Sequence, residues 1–256
     1  MSTLSQFFGS GSNKLPFGIK NTAFYIDALI VGAGGGPAGA TSGNASGGGR
    51  VVQVFNLLTE KNITYGITIG AAGAGSLGNG QDSVFGSIIA QGGGALNQIG
   101  GSSGGNVTIP LFPTVGSYSV NDILNATNII SSGNGGSSGS PGGGGGAGTA
   151  GRPAGTFSGP AGGDGLISTI KGPGPYYYGA GLGGQAGPFG PASNGLGAGG
   201  ANTGTGGQNG VVVIAYPNTF PLATTTGAPT LFTGVTATRT GYHVYEFTGS
   251  GSIRFN

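Results

Sequence analysis

Short apolar runs alternate with glycine tracts along this chain. Residues 24–31, FYIDALIV, are rich in β-branched and aromatic side chains and predict a strand. VVQVFNLL at 51–58 and ITYGITI at 63–69 predict two more, and the polar stretch 59–62 between them is short enough for a hairpin loop. Further strands are predicted at 84–90, VFGSIIA, and at 211–215, VVVIA. From 92 to 210 the pattern is mostly glycine, broken by apolar islands at 107–130, 166–170 and 175–179. Residues 121–130 are the one place where a helical turn is predicted, with Asn121 and Asp122 at its start and Ile123, Leu124, Ile129 and Ile130 behind. Residues 217–256 turn Thr-rich, lose the glycine tracts and read as two or three strands of a small appended β unit. The polar start carries two apolar clusters, Phe7 with Phe8 and Leu15 with Phe17, and reads as an arm that docks on another surface or as a disordered leader. Three parts follow: an arm at 1–22, a glycine-rich domain at 23–216 and a C-terminal β unit at 217–256.

Composition decides what the glycine tracts can be. Glycine is 64 of 256 residues, against ordinary usage of about 7%. Each glycine loses more backbone entropy on ordering than any other residue, so such tracts persist where side chains would not fit and backbone packs on backbone. A helix made of them would be about 1 kcal/mol per residue worse than one of alanine. Collagen needs a strict G-X-Y period, which runs such as 142–146, GGGGG, do not keep. Gly/Ser tracts also form flexible linkers, but the interleaved Val/Ile strands give these a core to anchor on. The arrangement that fits is a set of polyproline-II-like glycine helices, three residues per turn, whose N–H and C=O groups pair between neighbours. The expected fold class is therefore mainly β and irregular: a polyglycine-II-type sandwich flanked by short strands, with almost no α-helix.

The charge pattern removes several functions. Eight Lys+Arg against six Asp+Glu leave a formal charge of +2 with no basic run, so no phosphate-neutralising patch for nucleic acid is expected. With no cysteine, disulfides and thiolate metal sites are excluded, and His243, the single histidine, cannot build a His-based metal cluster. No apolar run reaches the length of a membrane span. Residues 26–39, IDALIVGAGGGPAG, imitate a dinucleotide fingerprint, but that motif needs a helix after the glycines to hold the pyrophosphate, and ATSGNASGGGR follows instead.

No catalytic constellation is visible. The acids Asp27, Glu60, Asp82, Asp122, Asp164 and Glu246 are dispersed. Asp82 and Asp164 each close a glycine run before an apolar pair, the place for an Asp that caps its own backbone in a turn. His243 alternates with Tyr242 and Val244 and is expected at the surface or a subunit contact. The chain is thus expected to be no enzyme and to hold no cofactor or metal. The aromatic islands are the candidate binding residues: Tyr176, Tyr177 and Tyr178 between glycine/proline stretches, and Phe189 within GPFGP. Aromatic rings on stiff loops give large contact area at small entropic cost, which suits a saccharide or protein partner. The bland alternative is that the tyrosines cover glycine layers.

The order FYIDALIVGAGGG, ITYGITIGAAGAG, GNGQDSVFGSIIAQGGGA, GGDGLISTI with YYYGAGLGG, and GGQNGVVVIAYP resembles the glycine-rich domains of phage tail-fibre and related virion surface proteins. The tail GYHVYEFTGSGSIRFN is similar to a β repeat beside such domains, and MSTLSQFFGSG to the start of phage structural proteins. The resemblance implies a tail-fibre or adhesin component on the virion surface. MSTLSQFFGSGSNK lacks the charged start and apolar stretch of a signal peptide, so release by another route, such as lysis inside an assembled particle, is expected. The resemblance also implies that Phe7, Phe8, Leu15 and Phe17 attach the chain to other virion proteins. Tyr176, Tyr177, Tyr178 and Phe189 would then meet a host surface saccharide or outer-membrane protein. A homo-oligomer, with a trimer favoured, is expected because fibres are commonly trimeric and a thin core favours assembly. The alternatives are a capsid-surface fibre or decoration protein without receptor contact, and an ice-binding glycine-helix protein, which would need a flat face of regularly spaced Thr or Ala.

Overall fold

A computed structural model of the chain describes residues 23–36, 46–74, 78–95, 100–102, 128–132, 144–151, 162–174, 176–181, 196–199 and 207–256. Its strands, in chain order, are β1 (Ala23–Val31), β2 (Val51–Glu60), β3 (Thr64–Thr68), β4 (Ser83–Phe85), β5 (Ile88–Ala90), β6 (Asn128–Ser132), β7 (Leu166–Ser168), β8 (Tyr176–Tyr178), β9 (Val211–Pro217), β10 (Thr224–Thr226), β11 (Thr230–Phe232), β12 (Tyr242–Phe247) and β13 (Gly251–Arg254). A six-stranded sheet runs β11-β12-β9-β1-β2-β6, a five-stranded sheet runs β10-β13-β3-β4-β5, and β7 pairs with β8 alone. The protein is mainly β, as its Val/Ile runs and helix-poor tracts require.

The six-stranded sheet is buried on both faces. Between it and the five-stranded sheet lie Phe24, Ile26, Ile30, Val52, Val54, Ile214 and Phe247, meeting Ile67, Phe85, Ile88, Ile253 and Phe255. On its opposite face Leu29, Val31, Val51, Val211, Val213 and Val244 pack against Ala147, Ile170 and Tyr178. Burial on both sides explains why β1 and β9 are continuous apolar runs rather than alternating ones. Each fully buried Val, Leu, Ile or Phe contributes about 1.5–3 kcal/mol.

The glycine segments extend these strands. Segment 32–36 follows β1, 46–50 leads into β2, 70–74 follows β3, 78–82 leads into β4, 91–95 follows β5 and 207–210 leads into β9. Their hydrogen bonds repeat every third residue. Gly32 and Gly35 donate to Arg50 and Gly47 of one neighbour, and Ala33 and Gly36 donate to Gln81 and Gly78 of a second. Gly34 donates to Gln208 of a third. The next segment does the same: Gly47 and Arg50 donate to Gly94 and Gln91, Gly48 to Gly145 and Gly49 to Gly197. Three neighbours served in rotation are what a helix of three residues per turn produces, since each N–H points about 120° from the last. A methyl on Gly34 would overlap the Ala198 carbonyl, and one on Gly49 the Gly32 carbonyl, so side chains are excluded by main chain. This is the polyglycine-II-type packing the composition calls for.

Several local expectations are corrected. Residues 51–58 and 63–69 do not form a hairpin: β2 pairs with β1 and β6, and β3 pairs with β13 and β4. Asn62, at φ 64, turns the chain from one sheet into the other, and its N–H donates to the Phe255 carbonyl at 2.7 Å. Residues 84–90 are a hairpin rather than one strand, because Gly86 at φ 58 makes a turn between β4 and β5. The helical turn predicted over 121–130 fails at its end, where 128–130 belong to β6 and satisfy their backbone on β2; residues 121–127 lie outside those described. The segment 217–256 supplies β10 to β13 and threads both large sheets, with β12 on β9 and β13 on β3.

Candidate functional site

The islands 166–170 and 175–179 meet as the hairpin of β7 and β8, with Leu166 opposite Tyr178, Ile167 opposite Tyr177 and Ser168 opposite Tyr176. Gln53 ties it to the six-stranded sheet, donating through Nε2 to the Ile167 carbonyl at 3.1 Å. Strand alternation then separates the three tyrosines. Tyr178 points inward and is 1% exposed in the core. Burial raises its phenol well above the ordinary tyrosine range, helped by the Glu246 charge. Tyr176 is half-buried beneath a cation: Lys171 Nζ sits 5.3 Å from its ring centre and 5.0 Å from that of Phe232, and pairs with Glu246 Oε2. Tyr177, also half-buried, faces the other way, opposite Ile167, which is 50% exposed.

Tyr177 and Ile167 line a cleft of about 460 Å³ together with Gly148, Thr149, Asp164, Gly165 and Leu166. Its floor is glycine backbone. The Gly148 N–H donates to the Asp164 carbonyl at 2.8 Å, and a methyl on Gly148 would meet the Gly165 carbonyl. The rim is polar: the Asp164 N–H donates to Thr149 Oγ1 at 2.8 Å, and that hydroxyl lies 3.4 Å from Asp164 Oδ2. Among the described residues, none donates to Asp164 Oδ1.

The two look-alike acids therefore do not cap their own backbone. Asp82 Oδ1 accepts from the Gly92 N–H at 2.9 Å, across the lattice, and Asp164 engages Thr149 on a neighbouring segment. Asn79 and Asn209 act as Asp82 does, accepting from the Ala95 and Ala72 N–H groups at 2.8 and 2.9 Å. Side-chain oxygens of one segment thus satisfy backbone donors of the neighbouring segment that main-chain carbonyls leave unpaired. His243 is buried, not superficial. Its Nε2 donates to the Phe220 carbonyl at 3.2 Å, and its Nδ1 accepts from the Thr233 hydroxyl at 2.6 Å, the one tautomer both partners allow. Among the described residues no three His, Cys, Asp or Glu gather to hold a metal ion.

Phe7, Phe8, Leu15, Phe17 and Phe189 lie outside the described residues. Of the described candidate contact residues, Tyr177 lines the cleft; Tyr178 is core and Tyr176 is held by Lys171. Thr149, Asp164 and Ile167 were missed as site residues. The one sequence signal was the repeated Asp-before-apolar-pair pattern, which marked Asp164 without its partner.

Comparison with protein families matches residues 11–218 to a family described as a glycine-rich domain. No curated protein matches the chain.

Proposed function

The chain belongs to this glycine-rich domain family, which covers most of its length, and from that premise we propose that it is a phage virion surface protein, a tail-fibre or adhesin component that displays host-contacting loops. The three-directional backbone lattice is the observation that carries this reading. A backbone hydrogen-bonded in three directions holds the described ends of its segments still, as Gly35 does on Gly47 and Gly36 on Gly78. Fixed loop bases lower the ordering entropy that binding costs. In this reading Phe7, Phe8, Leu15 and Phe17 anchor the chain to other virion proteins. Phe189, with the face bearing Tyr177, meets a saccharide or outer-membrane protein of the host. Assembly is as a homo-oligomer, a trimer being favoured, with no enzymatic step.

The test is to locate the chain in intact particles by antibody labelling and to measure host adsorption by particles lacking it. Labelling on the tail together with lost adsorption is the expected result. Labelling on the capsid with full adsorption would instead mark a decoration fibre, and absence from particles would end both readings.

A further inference from the structure

The geometry points to the cleft between Tyr177 and Asp164 as a binding site for an uncharged pyranose sugar. This rests on the host-contact reading above and names the ligand class and the residues that take it. Four observations converge. The cleft, at about 460 Å³, falls within the size range of small-ligand sites, roughly 300–1,000 Å³, and holds a mono- or disaccharide. Its lining includes an aromatic and an aliphatic side chain: half-buried Tyr177 and exposed Ile167, a cross-strand pair on a hairpin fixed to the sheet by Gln53. A pyranose has an apolar C–H face, and an aromatic ring with an aliphatic neighbour covers it at small entropic cost. The lining also offers hydrogen-bonding groups matched to hydroxyls. Asp164 Oδ1 has no donor among the described residues, and the Thr149 hydroxyl stands beside the carboxylate. A carboxylate accepts from two neighbouring hydroxyls at once, and such charge-assisted bonds are the stronger kind.

Charge and floor narrow the class. Among the described residues Asp164 is the one charged side chain of the lining and no cation pairs with it, which disfavours acidic sugars and phosphates. Gly148 and Gly165 add no side chain to the lining.

The full chain is titrated by calorimetry and ligand-observed NMR with glucose, galactose, mannose, N-acetylglucosamine and their disaccharides. Glucuronic acid, sialic acid and a lysine-rich peptide serve as comparators. The expected result is binding of at least one neutral sugar, weakened tenfold or more in Tyr177→Ala and in Asp164→Asn. Ile167→Glu, at an exposed position, should act likewise with melting temperature unchanged, which separates lost binding from lost fold. The assignment is overturned if no neutral sugar binds, if Tyr177→Ala and Asp164→Asn bind as well as the parent, or if the acidic sugars or the peptide bind better. If particles need this chain to adsorb but those carrying Tyr177→Ala adsorb fully, the cleft assignment falls while the virion role stands.

Discussion

Arg239 Nη1 lies 2.7 Å from Asp27 Oδ2, joining two residues 212 positions apart. Asp27 sits at the irregularity between Ile26 and Ala28 in β1, and its other oxygen accepts from the Asn56 N–H at 3.0 Å. Arg239 also lies over the Tyr242 ring, 3.7 Å from its centre. A single carboxylate thus fastens the C-terminal segment to β1 and holds Asn56 at φ 55. Breaking this partly buried pair should be costlier than breaking a surface pair, which is worth about 0–1 kcal/mol, and cheaper than the ~3–5 kcal/mol of a fully buried one. Arg239→Ala is expected to lower stability by about 2 kcal/mol in urea unfolding. Asp27→Ala should cost more, because it also strips Asn56 of its acceptor.

The lattice makes a sharp distinction among glycines. Gly34→Ala and Gly49→Ala would push a methyl into main-chain carbonyls that cannot yield without moving a whole segment. Each should destabilise by several kcal/mol, on the order of the larger single-site effects known. A methyl at Gly66, in β3, meets nothing within 4 Å. Gly66→Ala should be neutral or stabilising by up to about 1 kcal/mol, through the unfolded chain's smaller entropy. Melting temperatures of the three variants check this. Equal tolerance at all three positions would contradict an ordered lattice.

The three consecutive tyrosines should part company on mutation. Tyr178→Ala removes a fully buried ring and is expected to cost about 3–5 kcal/mol. Tyr177→Ala, at a half-buried position on the other face of the same hairpin, should cost clearly less, about 1 kcal/mol. Thermal unfolding of both variants measures the difference.

Alkaline titration tests the interior hydroxyls. The Tyr216 phenol is raised far above its usual value, first by burial and then by its hydrogen bond with Tyr245. Burial likewise raises Tyr178. An unfolded tyrosine ionises near pH 10. The folded form, with raised values, therefore keeps its full stability below about pH 10 and loses it as pH climbs toward the folded-state values. Phenolate absorbance followed with circular dichroism should show these two tyrosines ionising together with unfolding rather than before it.

Much of the fold was legible along the chain. The apolar runs at 24–31, 51–58 and 211–215 fall within β1, β2 and β9, because a strand buried on both faces must be apolar throughout. The excess glycine also announced main-chain packing, since nothing else tolerates so costly a residue in such number. The candidate site was half legible. A triplet of tyrosines marked the hairpin, but which ring faced outward depended on pairing with β7, and Thr149 came from a segment no local pattern connects to it.

By itself, then, the sequence determined that the chain is β with almost no helix, that glycine packs on backbone, and that no cysteine or histidine cluster exists. Only the tertiary structure decided partners: that β3 leaves β2 for β13, that β12 joins β9, and that the Asp82 and Asp164 side chains reach neighbouring segments. The reason is physical. Burial and backbone entropy act residue by residue and leave a mark in composition and period. Pairing is settled by which edges remain open once the sheets have closed on each other, and a glycine segment carries no side chain to say which neighbour it will meet.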